Sequence, residues 1–218
     1  MRITVLGAHG KIGMLLHPIF RSNGHSVTGI IRNPDHSEAV QKAGAHPVVC
    51  DIEKTDDISE AIGNVDAVVF AAGAGPGSGA ERKWTVDRDG ALKLIDAARK
   101  NGTSRYVMIS AMNVEEPRGN EVFQAYQKAK AEADKALRES GLDYTIIRPG
   151  KLTDDLSTGR VSLGPDLNSG EVSRSDVAAV VAEVLEVPET AGFQWDLTSG
   201  SDEIDHAIRK AISQSEEL

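Results

Sequence analysis

The sequence predicts an α/β protein built around a doubly wound parallel sheet with helices on both faces. Short apolar runs alternate with amphipathic helical patterns from the start of the chain to about residue 150. Each run is almost continuously apolar, as expected of a strand that is buried on both faces, and does not alternate between apolar and polar residues. A glycine-rich turn also separates the first run from the first helical pattern.

Length and composition limit the possible functions. With 218 residues we expect one domain, in which residues 151–218 form a small extension on the substrate side that is not independent. The formal net charge of −9 argues against nucleic acid or an anionic membrane as the main partner. No apolar run reaches the roughly 18 residues of a membrane span. Because the chain opens on a predicted strand, we expect no signal peptide. Its one cysteine, Cys50, excludes an internal disulfide and fits the expectation of a cytoplasmic protein.

The first strand, loop and helix form the most informative stretch. The apolar run at residues 3–6 predicts a buried strand, and a helical pattern begins at Ile12. Between them lie Gly7, Gly10 and Gly13, at a spacing that permits a sharp turn and a close approach of the backbone to a ligand. The free N–H groups at the start of the helix attract an anion. The stretch therefore predicts a site for the pyrophosphate of a dinucleotide, with a plain structural turn as the alternative.

The alternation continues to about residue 150. Strands are predicted at residues 26–32, 47–50, 66–72, 105–110 and 144–148. Helices are predicted at about residues 37–43, 56–62, 81–101 and 121–140. The loop at residues 73–79 is too rich in glycine to order itself easily, and it is a candidate lid.

Beyond residue 150 the alternation weakens. Strands are predicted at residues 160–163 and 193–197, and a last helix at about residues 202–213. Another helix runs to about residue 186, because the side-chain oxygens of Ser175 and Asp176 can satisfy free N–H groups at its start. We expect this part of the chain to complete the sheet and to form a wall of the substrate site.

The end of the second predicted strand indicates which nicotinamide cofactor binds. An enzyme that uses NAD normally places an acid there, on the ribose 2′-hydroxyl, but this sequence has Arg32. An arginine fork suits a 2′-phosphate, and His9 and Lys11 are available from the first loop. The sequence therefore favours NADP over NAD. The alternative is a solvent-exposed arginine, whose charge Asp35 could weaken.

Two further strand ends supply candidate cofactor contacts. Asp51 and Ile52 follow the third strand and could flank the adenine, although Asp51 could almost equally cap a helix. Ala71, Ala72 and Gly73 follow the fourth strand, where small side chains would let the cofactor pass closely. Together with the first loop, these positions could hold most parts of a dinucleotide.

Ser110, Tyr126 and Lys130 form the candidate catalytic set. Ser110 ends the fifth strand, and Tyr126 and Lys130 are four residues apart, so they share one face of a helix. The lysine cation would lower the pKa of the tyrosine by favouring the phenolate. The tyrosine could then exchange a proton with a carbonyl or alcohol that Ser110 orients. The alternative is that Lys128 and Lys130 belong to a solvated helix face.

The sequence indicates neither a metal site nor an esterase. Its six histidines lack the paired spacing with carboxylates or with Cys50 that a zinc site requires. A Gly-x-Ser-x-Gly nucleophile turn is also missing.

Together these residues resemble a known family. The glycines of the first loop, Ser110, the pair Tyr126 and Lys130, and the strand that ends in Arg148-Pro149-Gly150 look like those of the short-chain dehydrogenases/reductases. Residues 141–150 are especially similar to the atypical NAD(P)-binding branch, which includes NmrA-like and flavin- and biliverdin-reductase-like proteins. The resemblance covers essentially the whole chain and implies a Rossmann-like fold.

The resemblance also implies roles for individual residues. In the family the tyrosine is the general acid/base, the lysine holds the nicotinamide ribose and the serine aligns the substrate, which by motif are Tyr126, Lys130 and Ser110. The first loop, with Ile12, and Pro149 would contact the cofactor. The extension is shorter than in members that hold nucleotide sugars, which implies a small or shallow substrate.

The sequence as a whole thus predicts an NADP-dependent oxidoreductase that transfers hydride between the nicotinamide and a small carbonyl, alcohol or quinone-like substrate. One alternative is a non-catalytic NADP(H) sensor that binds a protein partner. The other is an epimerase or dehydratase that retains its cofactor. We expect a monomer or a homodimer.

Overall fold

The computed structural model describes residues 1–216, in which strands alternate with helices. The strands are β1 (Arg2–Leu6), β2 (Ser26–Ile31), β3 (His46–Val49), β4 (Ala67–Phe70), β5 (Arg105–Ile109), β6 (Asp143–Pro149), β7 (Lys151–Thr153), β8 (Arg160–Gly164), β9 (Glu171–Ser173), β10 (Phe193–Ser199) and β11 (Asp202–Glu203). The helices are α1 (Lys11–Ser22), α2 (Ser37–Lys42), α3 (Ser59–Ile62), α4 (Ala80–Arg82), α5 (Asp89–Asn101), α6 (Glu121–Arg138), α7 (Arg174–Glu186) and α8 (Ile204–Glu216). A π-helical turn, Lys83–Arg88, joins α4 to α5.

Nine of these strands form one sheet, with the order β11-β8-β10-β6-β5-β4-β1-β2-β3. Strands β1 to β6 and β10 pair in parallel. The strand order reverses at β1, as in a doubly wound fold, so the carboxyl ends of β1 and β4 flank the crevice in which ligands of such folds bind. The predicted α/β doubly wound class is confirmed.

Both faces of the sheet are covered by helices. Ile3 and Val5 of β1 belong to a core that α1, α7 and α8 share, while Leu6 packs with residues of α3 and α5 on the other face. Fully buried Trp195 of β10 extends the first core. Burial on both faces explains why the strands are apolar throughout.

The chain after Gly150 contributes strands to the same sheet. β10 lies beside β6, with Trp195 opposite Ile147, and β8 and β11 continue the sheet to its edge. Among the described strands of this sheet, β8 alone points in the direction opposite to the others, and it pairs antiparallel with β10 and β11. The link from β6 to β8 contains no helix that could carry the chain back to the other end of the sheet, so β8 enters from the end where β6 leaves it. The small pair β7 and β9 lies outside the large sheet.

Several predicted helix boundaries were wrong. The helix expected at residues 56–62 covers only Ser59–Ile62, because the Asp57 carboxylate accepts a hydrogen bond from the Ser59 N–H at 2.9 Å and holds a turn before it. The helix expected at residues 81–101 is interrupted by the π-helical turn. Within residues 1–216 we find no helix that is both long and apolar enough to cross a membrane.

The start of α7 also differs from the prediction. Ser173, and neither Ser175 nor Asp176, is its N-cap, and the Ser173 hydroxyl accepts a hydrogen bond from the Asp176 N–H at 2.9 Å. The Asp176 carboxylate accepts hydrogen bonds from the Ser157 hydroxyl and from the Gly159 N–H, so it fixes the segment before β8. The sequence prediction chose the wrong cap because the Asp176 carboxylate binds the distant residues Ser157 and Gly159 and not the N–H groups at the start of its own helix.

His17 of α1 makes the stability of the fold dependent on pH. Its Nε2 lies 2.8 Å from the Ala8 carbonyl oxygen, its Nδ1 has no partner within the described residues, and burial lowers its pKa below the ordinary 6.5. The unfolded chain therefore binds more protons than the folded one as the pH falls below 6.5, and stability must fall with it. We expect a loss of up to about 1.4 kcal/mol per pH unit from this residue.

Replacement of His17 tests this expectation. His17→Gln can still donate to Ala8 but cannot titrate, so the free energy of unfolding in urea should fall less between neutral and mildly acidic pH. The exposed His46 provides the matched variant His46→Gln, which should retain the parent's pH dependence. Identical pH curves for His17→Gln and the parent protein would contradict the assignment.

Candidate cofactor and active site

The loop between β1 and α1 and the first turn of α1 have no room for side chains at Gly7 and Gly13. Gly7 has a φ of +93°, and a Cβ atom there would lie 2.6 Å from the backbone nitrogen of Ala72. A Cβ atom at Gly13 would lie 2.5 Å from the carbonyl oxygen of Gly7. α1 follows Gly10 at once, and its first turn has no side-chain cap and no acidic residue. The loop thus leaves a helix N-terminus open to an anion, as a dinucleotide pyrophosphate requires.

Two cavities meet at this loop. The first, of about 300 Å³, lies over the carboxyl ends of β1, β2 and β3. The second, of about 680 Å³, lies over the ends of β1, β4 and β5 and against α6. Both are lined by Gly10, Ala71, Ala72, Gly73 and Ala74. The arrangement suits a ligand of two halves joined over the loop. The predicted residues Gly10 and Ala71 to Gly73 lie at that junction, and Gly7 lines the first cavity.

Arg32 lines the first cavity, but it is not a free cation. Its guanidinium donates to the Glu53 carboxylate at 3.1 Å, and Asp35, which the sequence suggested as its neutraliser, does not make this contact. Arg82 of α4 donates to the same carboxylate at 2.8 Å, and the Thr85 hydroxyl also donates to it at 2.8 Å. These bonds hold the pKa of Glu53 below its ordinary value. Two arginines thus surround one anion at the end of β2.

Of the other predicted cofactor residues near Arg32, some line the first cavity and one does not. His9 lines the cavity and stacks on His36, with ring centroids 3.5 Å apart, and burial together with His36 lowers the pKa of His9. Ile52 lines it too. Asp51 does not, because its carboxylate accepts a hydrogen bond from the Glu53 N–H at 3.1 Å and holds a turn.

The mouth of the second cavity carries a charged bridge. Lys11, the first residue of α1, and Arg174 of α7 both line this cavity, and both pair with the Asp154 carboxylate, at 2.5 and 2.6 Å. Ile12 lines the cavity beside Lys11. Pro149 does not reach it, because it is a buried residue of β6 whose carbonyl oxygen accepts a hydrogen bond from the Met112 N–H.

Ser110, Tyr126 and Lys130 all line the second cavity. The Ser110 hydroxyl donates to the Asp134 carboxylate at 2.9 Å. Lys130 is 3% exposed, so the alternative of a solvated helix face is wrong for it. Its Nζ donates to the Ile109 carbonyl oxygen at 3.2 Å and lies 3.5 Å from the Asp87 carboxylate. The structure thus brings the predicted catalytic set together.

The expected effect of Lys130 on Tyr126 is wrong. Tyr126 is partly buried, and burial together with the negative charges of Asp87 and Asp134 raises its pKa above the ordinary value of 10.0. The cation of Lys130 does not lower it, because Asp87 neutralises that charge. In the protein without ligands, Tyr126 is therefore a protonated phenol.

Asp134 is a site residue that the sequence reasoning missed. It is fully buried, and its Oδ2 accepts hydrogen bonds from Ser110 and from the Arg148 guanidinium at 2.9 Å each, while Arg148 also pairs with Glu115. Burial raises the pKa of Asp134. Asp134 follows Lys130 by four residues, as Lys130 follows Tyr126, so the helical spacing could have revealed it.

The glycine-rich loop at residues 73–79 has two anchors in the π-helical turn. The Asp87 carboxylate accepts a hydrogen bond from the Ala74 N–H at 3.1 Å. The Lys83 ammonium donates to the Gly75 carbonyl oxygen at 2.9 Å. The loop is therefore held at its start, although it borders the second cavity. In the part of the chain that the structure describes, no cluster of three or more metal-ligating side chains occurs.

Comparison with known proteins identifies the family. Residues 7–188 match the NAD(P)H-binding family. The chain belongs to this family. It is 38% identical over 213 residues to YhfK of Bacillus subtilis (strain 168), described as an uncharacterised sugar epimerase, and the match covers 96% of this chain and 100% of the relative. The resemblance to NAD(P)-binding proteins is confirmed, and a nicotinamide cofactor follows from the family.

Solved structures of relatives have the same fold. A protein of Bacillus halodurans, provisionally an NAD-dependent epimerase/dehydratase, superposes with a TM-score of 0.90 at 37% identity, covering 98% of this chain and 99% of its own. The oxidoreductase YlbE of Lactococcus lactis superposes with a TM-score of 0.86 at 26% identity, covering 98% of this chain and 97% of its own.

Proposed function

We propose that this member of the NAD(P)H-binding family is an NADP-dependent oxidoreductase that transfers hydride between the cofactor and a small carbonyl, alcohol or quinone-like substrate. One observation carries the proposal. Ser110, Tyr126 and Lys130 line a single cavity of about 680 Å³ that is continuous with the dinucleotide loop. The name of the Lactococcus relative, an oxidoreductase, agrees with it.

Each residue has a role in this reaction. Gly7, Gly10 and Gly13 would admit the pyrophosphate, and Lys130 would hold the nicotinamide ribose. The cofactor supplies or takes up the hydride. Tyr126 donates a proton to the substrate oxygen during reduction. Ser110 orients the substrate by donating its hydroxyl hydrogen to the substrate oxygen, and for this the hydrogen has to turn away from the Asp134 carboxylate.

The apolar wall of the cavity favours a planar or aromatic substrate. Phe123 is 50% exposed beside the cavity, with Val122 next to it, and the ring of Phe123 stacks on that of Tyr126 with centroids 6.0 Å apart. An exposed aromatic side chain that borders the proposed proton donor gives a flat substrate a surface on which to stack. Quinones and aromatic carbonyl compounds have the required shape.

Selectivity for NADP is expected to depend on Arg32 and Arg82. Arg32→Ala should weaken NADPH binding about tenfold to a hundredfold, the value of one charge-assisted hydrogen bond, and should leave NADH binding unchanged. The measurement is a fluorescence titration of the parent and variant with both cofactors. Arg99→Ala, at an exposed arginine of α5, is the matched control. Equal affinities of the parent protein for NADPH and NADH would contradict the assignment.

Replacement of Glu53 should have the opposite effect on NADPH binding from replacement of Arg32. Its carboxylate occupies the position between two arginines that a 2′-phosphate would take, so the phosphate has to displace it. Glu53→Gln removes this competing charge and should tighten NADPH binding while NADH binding stays constant. If Glu53→Gln instead weakens NADH binding alone, the acid holds the ribose hydroxyl and the protein uses NAD.

The reaction class is tested by turnover. Purified protein is incubated with NADPH and a panel of quinones, aromatic aldehydes and ketones, and oxidation of NADPH is followed by absorbance. We expect steady oxidation with at least one quinone or aromatic carbonyl compound and none without substrate. If the whole panel leaves NADPH unconsumed, the oxidoreductase proposal fails.

An epimerase is the second candidate, because the 38% identical relative is described as a sugar epimerase. An epimerase returns its hydride to the substrate, so it shows no net change in the cofactor. Interconversion of two epimers of a nucleotide sugar, measured without any net change in cofactor absorbance, would support this candidate over a reductase.

A further inference from the structure

The Lys83–Arg88 π-helical turn places two charged side chains in the interior beside the candidate active site. Lys83 is 9% exposed and Asp87 is fully buried. A π-helical turn is rare and often occurs at a functional site. The proton and hydride transfers proposed above use neither side chain directly.

The two oxygens of the Asp87 carboxylate have different surroundings. One accepts the hydrogen bond from the Ala74 N–H at 3.1 Å. The other, Oδ1, accepts no hydrogen bond from the described residues and lies 3.5 Å from the Lys130 ammonium. An asparagine could hold the Ala74 N–H equally well without burying a charge. The charge of Asp87 therefore acts on Lys130.

Charged groups lie around Tyr126 on three elements, and burial, followed by the negative charges of Asp87 and Asp134, raises its pKa. The charged groups are Asp87 and Lys83 of the π-helical turn, Lys130 and Asp134 of α6, and Arg148 of β6. Lys130 pairs with the Asp87 carboxylate and Arg148 with the Asp134 carboxylate, whereas Lys83 donates only to the neutral Gly75 carbonyl oxygen. Burial and the two carboxylates outweigh the cation of Lys83, so the pKa of Tyr126 lies above its ordinary value.

We propose that Asp87 is a positioning residue that neutralises Lys130 and thereby hinders ionisation of the Tyr126 hydroxyl. A protonated phenol can donate a proton to a substrate oxygen but cannot accept one. The site is therefore set for the reduction of a carbonyl or quinone and against the oxidation of an alcohol. This inference rests on the proposed role of Tyr126 as the proton donor.

Reduction of a carbonyl substrate adds one hydride and one proton to it. The substrate carbonyl carbon gains hydride, with its electron pair, from a reduced nicotinamide cofactor, and the carbonyl oxygen gains the proton of Tyr126. The C=O double bond becomes a single bond, the substrate is reduced and the cofactor is oxidised. Tyr126 then regains a proton from the solvent. Alcohol oxidation requires Tyr126 to be a phenolate before the reaction begins, and Asp87 disfavours the phenolate.

The test is a titration of Tyr126 in the protein without cofactor. Tyrosinate is detected by ultraviolet absorbance, and the difference between the parent protein and Tyr126→Phe isolates Tyr126, because Tyr106 and Tyr144 are present in both. In the parent, Tyr126 should ionise only above about pH 10. In Asp87→Asn, Lys130 is left unpaired and the ionisation should move about one to three pH units lower.

A matched variant controls for a general change of charge. Asp89 lies two residues further on, partly exposed and paired with Arg88, so Asp89→Asn should leave the titration of Tyr126 unchanged. An unchanged titration in a folded Asp87→Asn protein would overturn the proposal. Ionisation of Tyr126 near neutral pH in the parent protein would overturn it without any variant of Asp87.

Turnover gives a separate readout. With NADPH and 9,10-phenanthrenequinone as probes, the alkaline limb of the pH profile should move to lower pH in Asp87→Asn by the same amount as the titration. If the ionisation of Tyr126 moves to lower pH in Asp87→Asn but the alkaline limb of the turnover profile does not, the ionisation of Tyr126 does not control turnover, which contradicts the proposal. If the parent protein oxidises no NADPH at all, the oxidoreductase proposal is contradicted, whereas the titration still decides the charge balance at Tyr126.

Discussion

Tyr126→Phe is expected to lower NADPH-dependent turnover by about a hundredfold to ten-thousandfold, the usual contribution of a positioned general acid. Phenylalanine retains the ring that borders Phe123 and Lys83. It lacks only the hydroxyl group, which supplies the proton that reduction requires. Cofactor affinity should therefore stay within about twofold of the parent value, because the loop around Gly7 and the arginines at the end of β2 are unchanged. Steady-state kinetics and a cofactor titration on the same preparation provide both measurements.

Tyr144→Phe is the control for this experiment. Tyr144 lies near the start of β6, whereas the candidate site lies at the carboxyl ends of the strands, so the loss of its hydroxyl should leave turnover unchanged. If Tyr126→Phe retains full turnover, the proton comes from another group. If it loses cofactor binding as well, Tyr126 contributes to the cofactor site instead.

Arg148→Met is expected to destabilise the fold by about 3–5 kcal/mol at neutral pH. Arg148 is 6% exposed, and its guanidinium donates to the fully buried Asp134 carboxylate at 2.8 and 2.9 Å. Methionine fills part of the same space but leaves Asp134 as a buried charge with only the Ser110 hydroxyl as a partner. Urea unfolding, followed by circular dichroism, measures the loss.

The loss should be smaller at acidic pH. Burial already raises the pKa of Asp134 above 3.8, and removal of Arg148 raises it further. The folded variant then binds more protons than the unfolded chain in the pH range between the two pKa values, so its stability falls as the pH rises through that range. Arg138→Met, at an exposed arginine of α6, should cost less than about 0.5 kcal/mol. A loss from Arg148→Met that does not depend on pH would show that lost packing, and not the unpaired carboxylate, is responsible.

Local rules predicted the parts of the site that lie close together in the chain. The strand, the glycines and the first helix follow one another directly, and Tyr126 and Lys130 are neighbours on one helix face, so spacing alone placed them. Strands that are apolar throughout predicted a parallel sheet with both faces covered, because only such a sheet buries both sides.

Partners from distant parts of the chain could not be predicted in this way. Glu53 meets Arg82 across 29 residues, and Asp87 meets Lys130 across 43, so their pairing depends on how α4 and α6 pack at the sheet. The sequence predicted a lowered pKa for Tyr126 and the structure shows a raised one, because these distant partners were not visible in the sequence. The sequence showed the lysine one turn away, whereas the carboxylate that neutralises it comes from a helix turn that no local pattern distinguishes.

The packing of α1 against α7 has a consequence for the order in which the chain can fold during synthesis. The buried face of α1, with Leu16 and Phe20, is covered by Val177 and Val181 of α7, about 160 positions later. A ribosome must therefore translate nearly all of the chain before the helix behind the cofactor loop is fully covered. Until then that apolar face remains exposed to water and to chaperones, and the nascent protein cannot complete its dinucleotide site.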